Sequence, residues 1–348
     1  MRLAARYLRL AAACLLSAAV SCSTVYEWPA EEHDKGVCEI SLSFDTDLPI
    51  LEHPANRVES GGVTRNHIDN GFIRHTVQAY PFVNGAPGWV SAETYQFIED
   101  LTAGDGYDSS FTLRLAPGDY RILVWSDFLE SESSAPYYRT SDFSKIALAE
   151  GPHSGSNDYR DVFRGWVDIR AEGPDAGASS ATVAMERPVA KFEIIADDLA
   201  EFLTIESTRN GRLQSRQTRN ISLDDYEVVI AYAGYMPDVY NLLTDRPTGS
   251  SAGISFTSVP RAAGEGEASL GFDYVFVKET ADQSVTVQIS IYDTYDGRRI
   301  SLSPPIRVPL ERNRHTILHG AYLLMDSSGG IGIDSDFDVD HNIGFTYP

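Results

Sequence analysis

From Val37 onward the sequence is a succession of short strand-like runs separated by turn residues, and this pattern constrains the fold more than any other feature. The runs are rich in Val, Ile, Phe and Tyr, and many alternate apolar and polar residues as half-buried strands do. They include CEISLSF (38–44), RILVW (121–125), KFEII (191–195), YEVVIAY (226–232) and SVTVQISIYD (284–293). Helical patterns are few and short, the best being residues 92–101 and 197–205. This balance of elements predicts an all-β fold built from β-sandwiches.

The length of the chain indicates more than one sandwich. Its 348 residues exceed what one such domain usually holds. A break is suggested around Arg187, where the strand-like run ATVAM (181–185) ends and the next run begins. We therefore predict two tandem β-sandwich domains, residues 37–187 and 188–348.

A turn signal divides two strong strand patterns in the first of these domains. Pro117 and Gly118 predict a tight turn that joins FTLRL (111–115) to YRILVW (120–125) as a hairpin. Alternate residues of a strand face opposite sides of its sheet, and both sides of the second run are apolar. The second run is therefore predicted to be a central strand, and the hairpin to form part of the core of the first domain.

The N-terminus has the features of an export signal. Three arginines precede an apolar run over residues 10–20, and small residues follow it up to Cys22. This pattern predicts a signal peptide over residues 1–21. The run is shorter than the roughly 20 apolar residues that span a bilayer, and no later stretch is long enough. A mature chain without a transmembrane helix is expected.

Cys22 allows two interpretations. The small residues Ala19 and Ser21 suit cleavage by an ordinary signal peptidase. The same stretch, AVSC, also resembles a bacterial lipobox, with Ala19 where leucine is usual. We favour lipidation, because a cysteine directly after the cleavage site is otherwise uncommon. Cys22 is then the lipid-attachment site, residues 22–36 form the lipidated N-terminus and tether, and the acyl chains hold the protein on a membrane.

Cysteine count and charge narrow the class of protein further. Of three cysteines, only Cys38 would remain unmodified in the mature chain, which excludes an intramolecular disulfide. Cys38 opens a strand pattern and is predicted to be a small buried hydrophobe. The formal net charge of −22 argues against a nucleic-acid partner, because such binding relies on Lys and Arg neutralising phosphates.

Motifs that carry catalysis or bind metals are weak in this sequence. It contains no Walker, HExxH or CxxC motif, and we predict no enzymatic activity, no cofactor and no metal. His315 and His319 would share one face of a strand, but two histidines alone make a poor metal site. The acidic tail 334–341 begins like an EF-hand loop and then has Val339 and Phe345 where glycine and glutamate are required. A solvated edge or tail is the preferred interpretation.

Three aspartates lie among aromatic residues, as the carboxylates of carbohydrate-active sites often do: Asp127, Asp142 and Asp161. A pair of them could serve as the two carboxylates of a glycoside hydrolase. The same local sequences suit aspartates that cap turns beside core aromatics, and we favour this structural interpretation.

Several segments resemble a known family of surface proteins. They are APGDYRILVWSDF (116–128), YYRTSDFSKIAL (137–148), YRDVFRGW (159–166), MERPVAKFEIIADD (185–198) and VPLERNRHTILHGAYLL (308–324). In this order they resemble the anchoring subunits of Bacteroidia type V pili, the FimB-type and minor-fimbrium anchor proteins. The resemblance covers most of the mature chain, and its motifs are short and structural.

The resemblance implies two transthyretin-like (immunoglobulin-like) sandwiches in a lipoprotein of the outer membrane, exposed on the cell surface. Its role would be to hold the fimbrial shaft and limit its length, with shaft (fimbrillin) subunits as partners. Such proteins assemble by β-strand complementation, in which main-chain hydrogen bonds give affinity. Shaft subunits of this family are cut at an arginine and anchors keep their first strand. Cleavage at Arg57 or Arg65 would therefore indicate a shaft or tip subunit. The acidic residues that often follow the lipidated cysteine begin here only at Glu27.

Two alternatives are kept beside the anchor. One is a glycan-binding surface lipoprotein of a nutrient-uptake system, with Trp89, Trp125 or Trp166 on a binding platform. The other is a fimbrial tip adhesin of the same superfamily.

Overall fold

The computed structural model describes residues 34–51, 63–65, 68, 70–101, 107–212, 221–280 and 282–325. The regular secondary structure of this part of the chain is nearly all β-strand, which confirms the predicted all-β fold. Cys22 and the predicted signal peptide lie outside the described residues, as do Arg57 and the acidic tail 334–341. Arg65 lies in a short strand.

Two sheets packed face to face form the first sandwich. The three-stranded sheet has the order β12–β1–β7, and the larger one has the order β11–β8–β4, with β5 and β6 pairing β4. Their bounds are β1 Gly36–Phe44, β4 Phe72–Val83, β5 Ala86–Pro87, β6 Glu93–Asp100, β7 Ser109–Leu115, β8 Gly118–Leu129, β11 Val162–Ala171 and β12 Ser179–Met185. The core between them includes Ile40, Val77, Leu113 and Phe163, all fully or nearly fully buried. Inward-facing residues of both sheets thus share one hydrophobic interior.

The second sandwich has the same plan. One sheet has the order β18–β19–β13–β23, and the other has the order β17–β14–β20–β21, with β22 also pairing β20. Their bounds are β13 Val189–Ala196, β14 Tyr226–Tyr232, β17 Ser255–Ser258, β18 Arg261–Gly264, β19 Glu267–Phe276, β20 Gln283–Asp293, β21 Arg299–Leu302, β22 Ile306–Leu310 and β23 His315–Gly320. Helix α1 (Leu199–Arg212) packs Phe202 against Tyr226 in this core, with ring centroids 4.9 Å apart.

A third, small sheet joins the two halves of the chain. Its order is β16–β15–β10–β9, with bounds β9 Tyr138–Arg139, β10 Ile146–Leu148, β15 Tyr235–Asn241 and β16 Arg246–Ala252. Ile146 in the first half pairs with Tyr240 in the second. Both lie in a third core with Trp125 and Phe276. The remaining strands, β2 (Asp47–Pro49) and β3 (Val63–Arg65), pair with each other. The predicted domain boundary at residue 187 stays a prediction.

The structure corrects one predicted helix and confirms the other. Residues 92–101 contain strand β6 instead of a helix, and burial alternates along it residue by residue. Its tyrosine, phenylalanine, isoleucine and threonine favour strands, and Tyr95 and Phe97 turn one face towards the core. Residues 197–205 contain the first part of helix α1, as predicted.

The predicted hairpin at Pro117 and Gly118 is wrong, although the central strand is right. β7 lies in the smaller sheet and β8 in the larger one, so the turn carries the chain from one sheet to the other. β8 lies between β11 and β4. Ile122 and Val124 enter the first core while Leu123 and Trp125 enter the third, because successive side chains point to opposite faces.

Candidate functional site: the first strand and its two ends

Strand β1 occupies the centre of its sheet. It pairs in parallel with β12 from Cys38 opposite Ser179 onward, and antiparallel with β7 from Gly36 opposite Leu115. Cys38, Ile40 and Leu42 point into the first core and are at most 3% exposed. Burial raises the pKa of the Cys38 thiol, which fits the predicted small buried hydrophobe. Without β1, both neighbouring strands would lose a partner and the core would open.

One end of β1 marks where the chain enters the first sandwich. Lys35, directly before β1, forms an ion pair with Glu93, with Nζ 2.7 Å from Oε1. β7 ends at this point, β8 begins here, and β11 ends opposite Gly118. The loops 83–92, 116–117 and 172–178 therefore lie together at this end, which we call the entry end.

The other end of β1 meets the second half of the chain through Arg187. This side chain is 0% exposed, and its Nε donates to both carboxylate oxygens of Asp161 at 2.9 Å. Its Nη1 donates to the carbonyl of Asp47 at 2.9 Å and to Asn313 Oδ1 at 3.1 Å. The guanidinium also lies 4.5 Å from the ring centroid of Phe163. Arg187 thus fastens the chain just after β1 to both halves of the protein.

A second buried arginine crosses the same junction. Arg160 Nη1 donates to Asp273 Oδ1 at 2.5 Å, while the Tyr232 hydroxyl donates to Oδ2 at 2.6 Å. His153 Nε2 also lies 2.6 Å from Oδ2. Burial alone would raise the pKa of Asp273, but the charge of Arg160 and the bonds from His153 and Tyr232 lower it below its usual value. The carboxylate is therefore ionised and fully occupied by structural partners.

A third arginine, Arg164 on β11, pairs with Asp245 in the second half, with Nε 2.7 Å from Oδ1. Arg312 reaches the other oxygen of that carboxylate at 2.7 Å, and the Tyr240 hydroxyl donates to Oδ1 at 2.6 Å. Burial opposes ionisation of Asp245, but its partners, Arg164 first, lower its pKa. Buried arginine–carboxylate pairs of this kind fix geometry, since breaking one leaves an uncompensated charge. They join the two halves rigidly.

These junction arginines were not predicted. The sequence analysis used the segments of Arg160 and Arg164 only for family resemblance, and used Arg187 only for that and for the domain break. For Arg164 a signal was present, because an arginine inside an apolar strand-like run is rarely buried without a partner.

The aspartates proposed for a hydrolase have structural partners instead. Asp127 is 0% exposed and accepts from Arg74 Nε at 2.8 Å. Asp161 is held by Arg187. Asp142 is exposed and accepts from the backbone N–H of Ser144 at 2.8 Å, as a turn-capping residue does. Asp142 caps a turn as predicted, whereas Asp127 lies inside strand β8 and is paired with the buried Arg74 instead. This geometry gives the hydrolase no support.

The three tryptophans of the glycan hypothesis do not share a platform. Trp125 is 0% exposed in the third core. Trp166 is 41% exposed and lies 4.9 Å below the guanidinium of Arg164. Trp89 is 75% exposed on the loop at the entry end.

His315 and His319 lie on one face of β23, opposite Lys191 and Ile195. His315 Nε2 is 3.4 Å from Glu193 Oε2, and His319 Nδ1 is 3.7 Å from Glu267 Oε1. Within the described residues no group of three or more His, Cys, Asp or Glu side chains could hold a metal. Nor does any described helix have the length and apolarity needed to cross a membrane.

A buried histidine makes the first sandwich sensitive to acid. His75 is 0% exposed, its Nδ1 lies 2.8 Å from Ser126 Oγ, and burial lowers its pKa to about 4. An unfolded histidine titrates near 6.5, so below that pH the unfolded chain binds a proton that the folded chain does not. We expect the free energy of unfolding to fall by up to about 3 kcal/mol between pH 6.5 and pH 4 through this residue.

Urea unfolding of wild type and His75→Asn from pH 8 to pH 4 measures this contribution. Asparagine preserves a polar group near Ser126 and cannot titrate, so the difference between the two proteins isolates the histidine. The difference should be constant above pH 7 and change in favour of the variant as the pH falls. A difference that stays constant down to pH 4 would contradict the assignment.

Comparison with known proteins gives one family and several solved structures. No curated protein matches the sequence. The fimbrial anchor protein Mfa2 from Porphyromonas gingivalis is 11% identical, with a TM-score of 0.39 over 77% of this chain and 82% of that one. A fimbrial assembly protein from Parabacteroides distasonis is 10% identical, with a TM-score of 0.37 over 84% and 92%. A candidate cell adhesion protein from Bacteroides eggerthii is 12% identical, with a TM-score of 0.43 over 88% and 95%.

The family match covers nearly the whole chain. The sequence signature of DUF6562, described as a family of unknown function, matches residues 32–346. This range includes both sandwiches, the small sheet that joins them and the junction arginines. The protein therefore belongs to the DUF6562 family.

Proposed function

We propose that this protein is a lipid-anchored fimbrial anchor or accessory subunit of the outer membrane. Cys22 carries the lipid, and the protein holds a fimbrial shaft and limits its length without enzymatic activity. The observation that carries the proposal is the position of β1. The chain enters at the end of the first sandwich remote from the Arg187 junction, and β1 runs from there to that junction.

This arrangement suits a protein that bears tension. Force applied through the tether reaches β1 at Gly36 and is resisted along its length by β7 and β12. Because β1 lies along the direction of pull, its hydrogen bonds share the load instead of opening one by one. Arg187 then transmits the load to the second half.

In the uncut chain β1 fills its position and pairs on both sides. An anchor keeps this strand, whereas a subunit cut at Arg57 or Arg65 would lose it and leave an open groove for a donor strand. Attachment of the shaft is proposed at an edge strand of the second sandwich or of the small sheet. β18 and β16 are the outermost strands of their sheets within the described residues. Specificity would come from alternate side chains along that edge.

Replacing Cys22 by alanine in the native host tests the proposal. We expect fimbrial shaft protein to move from the cells to the medium, because the acyl chains that retain the base are lost. The readout is shaft protein in washed cells and in medium, measured with the length of the released filaments.

Cys38→Ala is the matched control. It removes a buried thiol that has no part in anchoring, so filaments should stay on the cells. If Cys22→Ala leaves the distribution of shaft protein unchanged, the anchor is refuted and a glycan-binding surface lipoprotein becomes the stronger explanation.

A further inference from the structure

The loop 83–92 at the entry end exposes large apolar side chains. Trp89 is 75% exposed, Val90 78% and Val83 57%. Together they form an apolar tip on the segment 83–92, which begins at the last residue of β4, contains β5 and leads into β6. Exposed apolar side chains that cluster at one place mark contact sites.

The same region of the sequence carries no charge. From Thr76 to Ala92 there is no Asp, Glu, Lys or Arg, although these residues make up 22% of the chain. In a protein with a formal net charge of −22, an uncharged and exposed tip is a local exception. The charged side chains nearest the tip are largely paired: Lys35 with Glu93, Arg121 with Asp168, and Arg170 with both Asp119 and Glu172.

Hydrogen bonds hold the loop in place. The N–H of Gly88 donates to the carbonyl of Pro81 and that of Ala92 to the carbonyl of Ala79, both at 2.8 Å. Asn84 and Gly85, with φ of 54° and 82°, form the tight turn between β4 and β5. The apolar tip is therefore presented in a fixed position, which reduces the entropy lost when it binds.

The loop lies where the tether begins. Lys35 contacts Glu93, the first residue after the loop, and Cys22 precedes Gly36 by 36 − 22 = 14 residues. At full extension 14 residues span at most about 50 Å. Lipid attached at Cys22 would therefore hold the entry end within about 50 Å of the bilayer.

We propose that the loop 83–92 is a second membrane contact, with Trp89 and Val90 inserted into the interfacial region of the lipid bilayer. The inference rests on the proposed lipidation of Cys22, which brings the loop to the surface. Tryptophan is suited to this region because its ring is apolar and its indole N–H can bond to lipid head groups or water. One shallow contact beside the tether would orient the first sandwich upright, with its long strands along the direction of pull.

Quenching by bromine-labelled lipids tests this contact. Lipidated full-length protein is reconstituted into phosphatidylethanolamine–phosphatidylcholine vesicles with brominated acyl chains, and tryptophan emission is compared with that in unlabelled vesicles. We expect the brominated lipids to quench tryptophan emission in wild type. In Trp89→Phe the contribution of Trp89 to this quenching should be lost. Trp166→Phe is the matched control, because Trp166 is also exposed but lies in mid-strand under Arg164, so quenching should persist.

A charge variant gives a second readout. Trp89→Asp with Val90→Asp should leave the unfolding midpoint unchanged, since both side chains are exposed, and should abolish the residual binding of Cys22→Ala protein to the same vesicles. Equal quenching in wild type and Trp89→Phe would overturn the membrane contact. Retardation of the protein by a polysaccharide gel, lost in Trp89→Asp and without lipid quenching, would instead assign the loop to a glycan.

The two proposals fail in different ways. If Cys22→Ala releases the shaft but Trp89 is not quenched, the anchor stands and only the loop contact is refuted. If Cys22 carries no lipid, the anchor fails whatever the loop does.

Discussion

Replacement of Arg187 by methionine is expected to lower the free energy of unfolding by about 3 to 5 kcal/mol. The methionine fills much of the space of the arginine but leaves the buried carboxylate of Asp161 without its bidentate partner. The carbonyls of Asp45, Thr46 and Asp47 also lose their donor. Urea unfolding at pH 7 measures the loss, which should be among the largest for any single side chain of this protein.

Two further variants separate charge from shape at this position. Arg187→Lys should restore little of the free energy of unfolding that Arg187→Met loses. An ammonium group cannot reproduce the planar guanidinium that bonds to Asp161, Asp47 and Asn313 together. Arg187→Met combined with Asp161→Leu should be less damaging than Arg187→Met alone, because no buried charge is left unpaired.

Arg121→Ala is the surface control for the same kind of ion pair. Arg121 and Asp168 are 34% and 48% exposed, and such pairs contribute less than about 1 kcal/mol. If Arg187→Met costs no more than Arg121→Ala, then Arg187 does not hold the junction.

The all-β fold could be predicted because it depends on local pattern. In β8 the apolar residues on both faces indicated a central strand, and the structure explains them by a core on each side of it. Strand β6 was misjudged because Tyr95, Ile98 and Leu101 also fit helical spacing, and only pairing with β4 decides between the two. The turn at Pro117 was recognised, but its sequence does not reveal whether the next strand joins the same sheet or the opposite one.

The junction and the site could be predicted only in part. Arg160 and Asp273 are 113 residues apart, and their pairing depends on how the two halves pack. The same holds for the pairing of β10 with β15. Lipidation of Cys22 could be predicted from sequence alone, because export signals are read by enzymes as linear motifs, and it stays a prediction. The entry-end loop required the structure, since the pairing of β4 with β6 and β8 and the Lys35–Glu93 ion pair place this loop beside the start of β1.

Ile40→Asp in the middle of β1 should destabilise the protein by at least about 4 kcal/mol. Ile40 is 0% exposed and lies opposite Phe111 in the first core, so the variant loses apolar burial and places a carboxylate there. Urea unfolding of the purified mature chain measures the effect. Ser41→Asp is the matched control on the exposed face of the same strand, and it should change the free energy of unfolding by less than about 0.5 kcal/mol.

The outcome also discriminates between the anchor and a shaft or tip subunit. In an anchor, β1 is a permanent member of its sheet, so Ile40→Asp must destabilise the mature protein recovered from cells. In a subunit matured by cleavage at Arg57 or Arg65, β1 is discarded and another chain's strand fills its place. The mature form of such a subunit would then lack residue 40, and the variant would unfold with the same urea midpoint as wild type. A mature Ile40→Asp protein as stable as wild type would thus argue for strand exchange at β1 and against the tension-bearing role proposed for it.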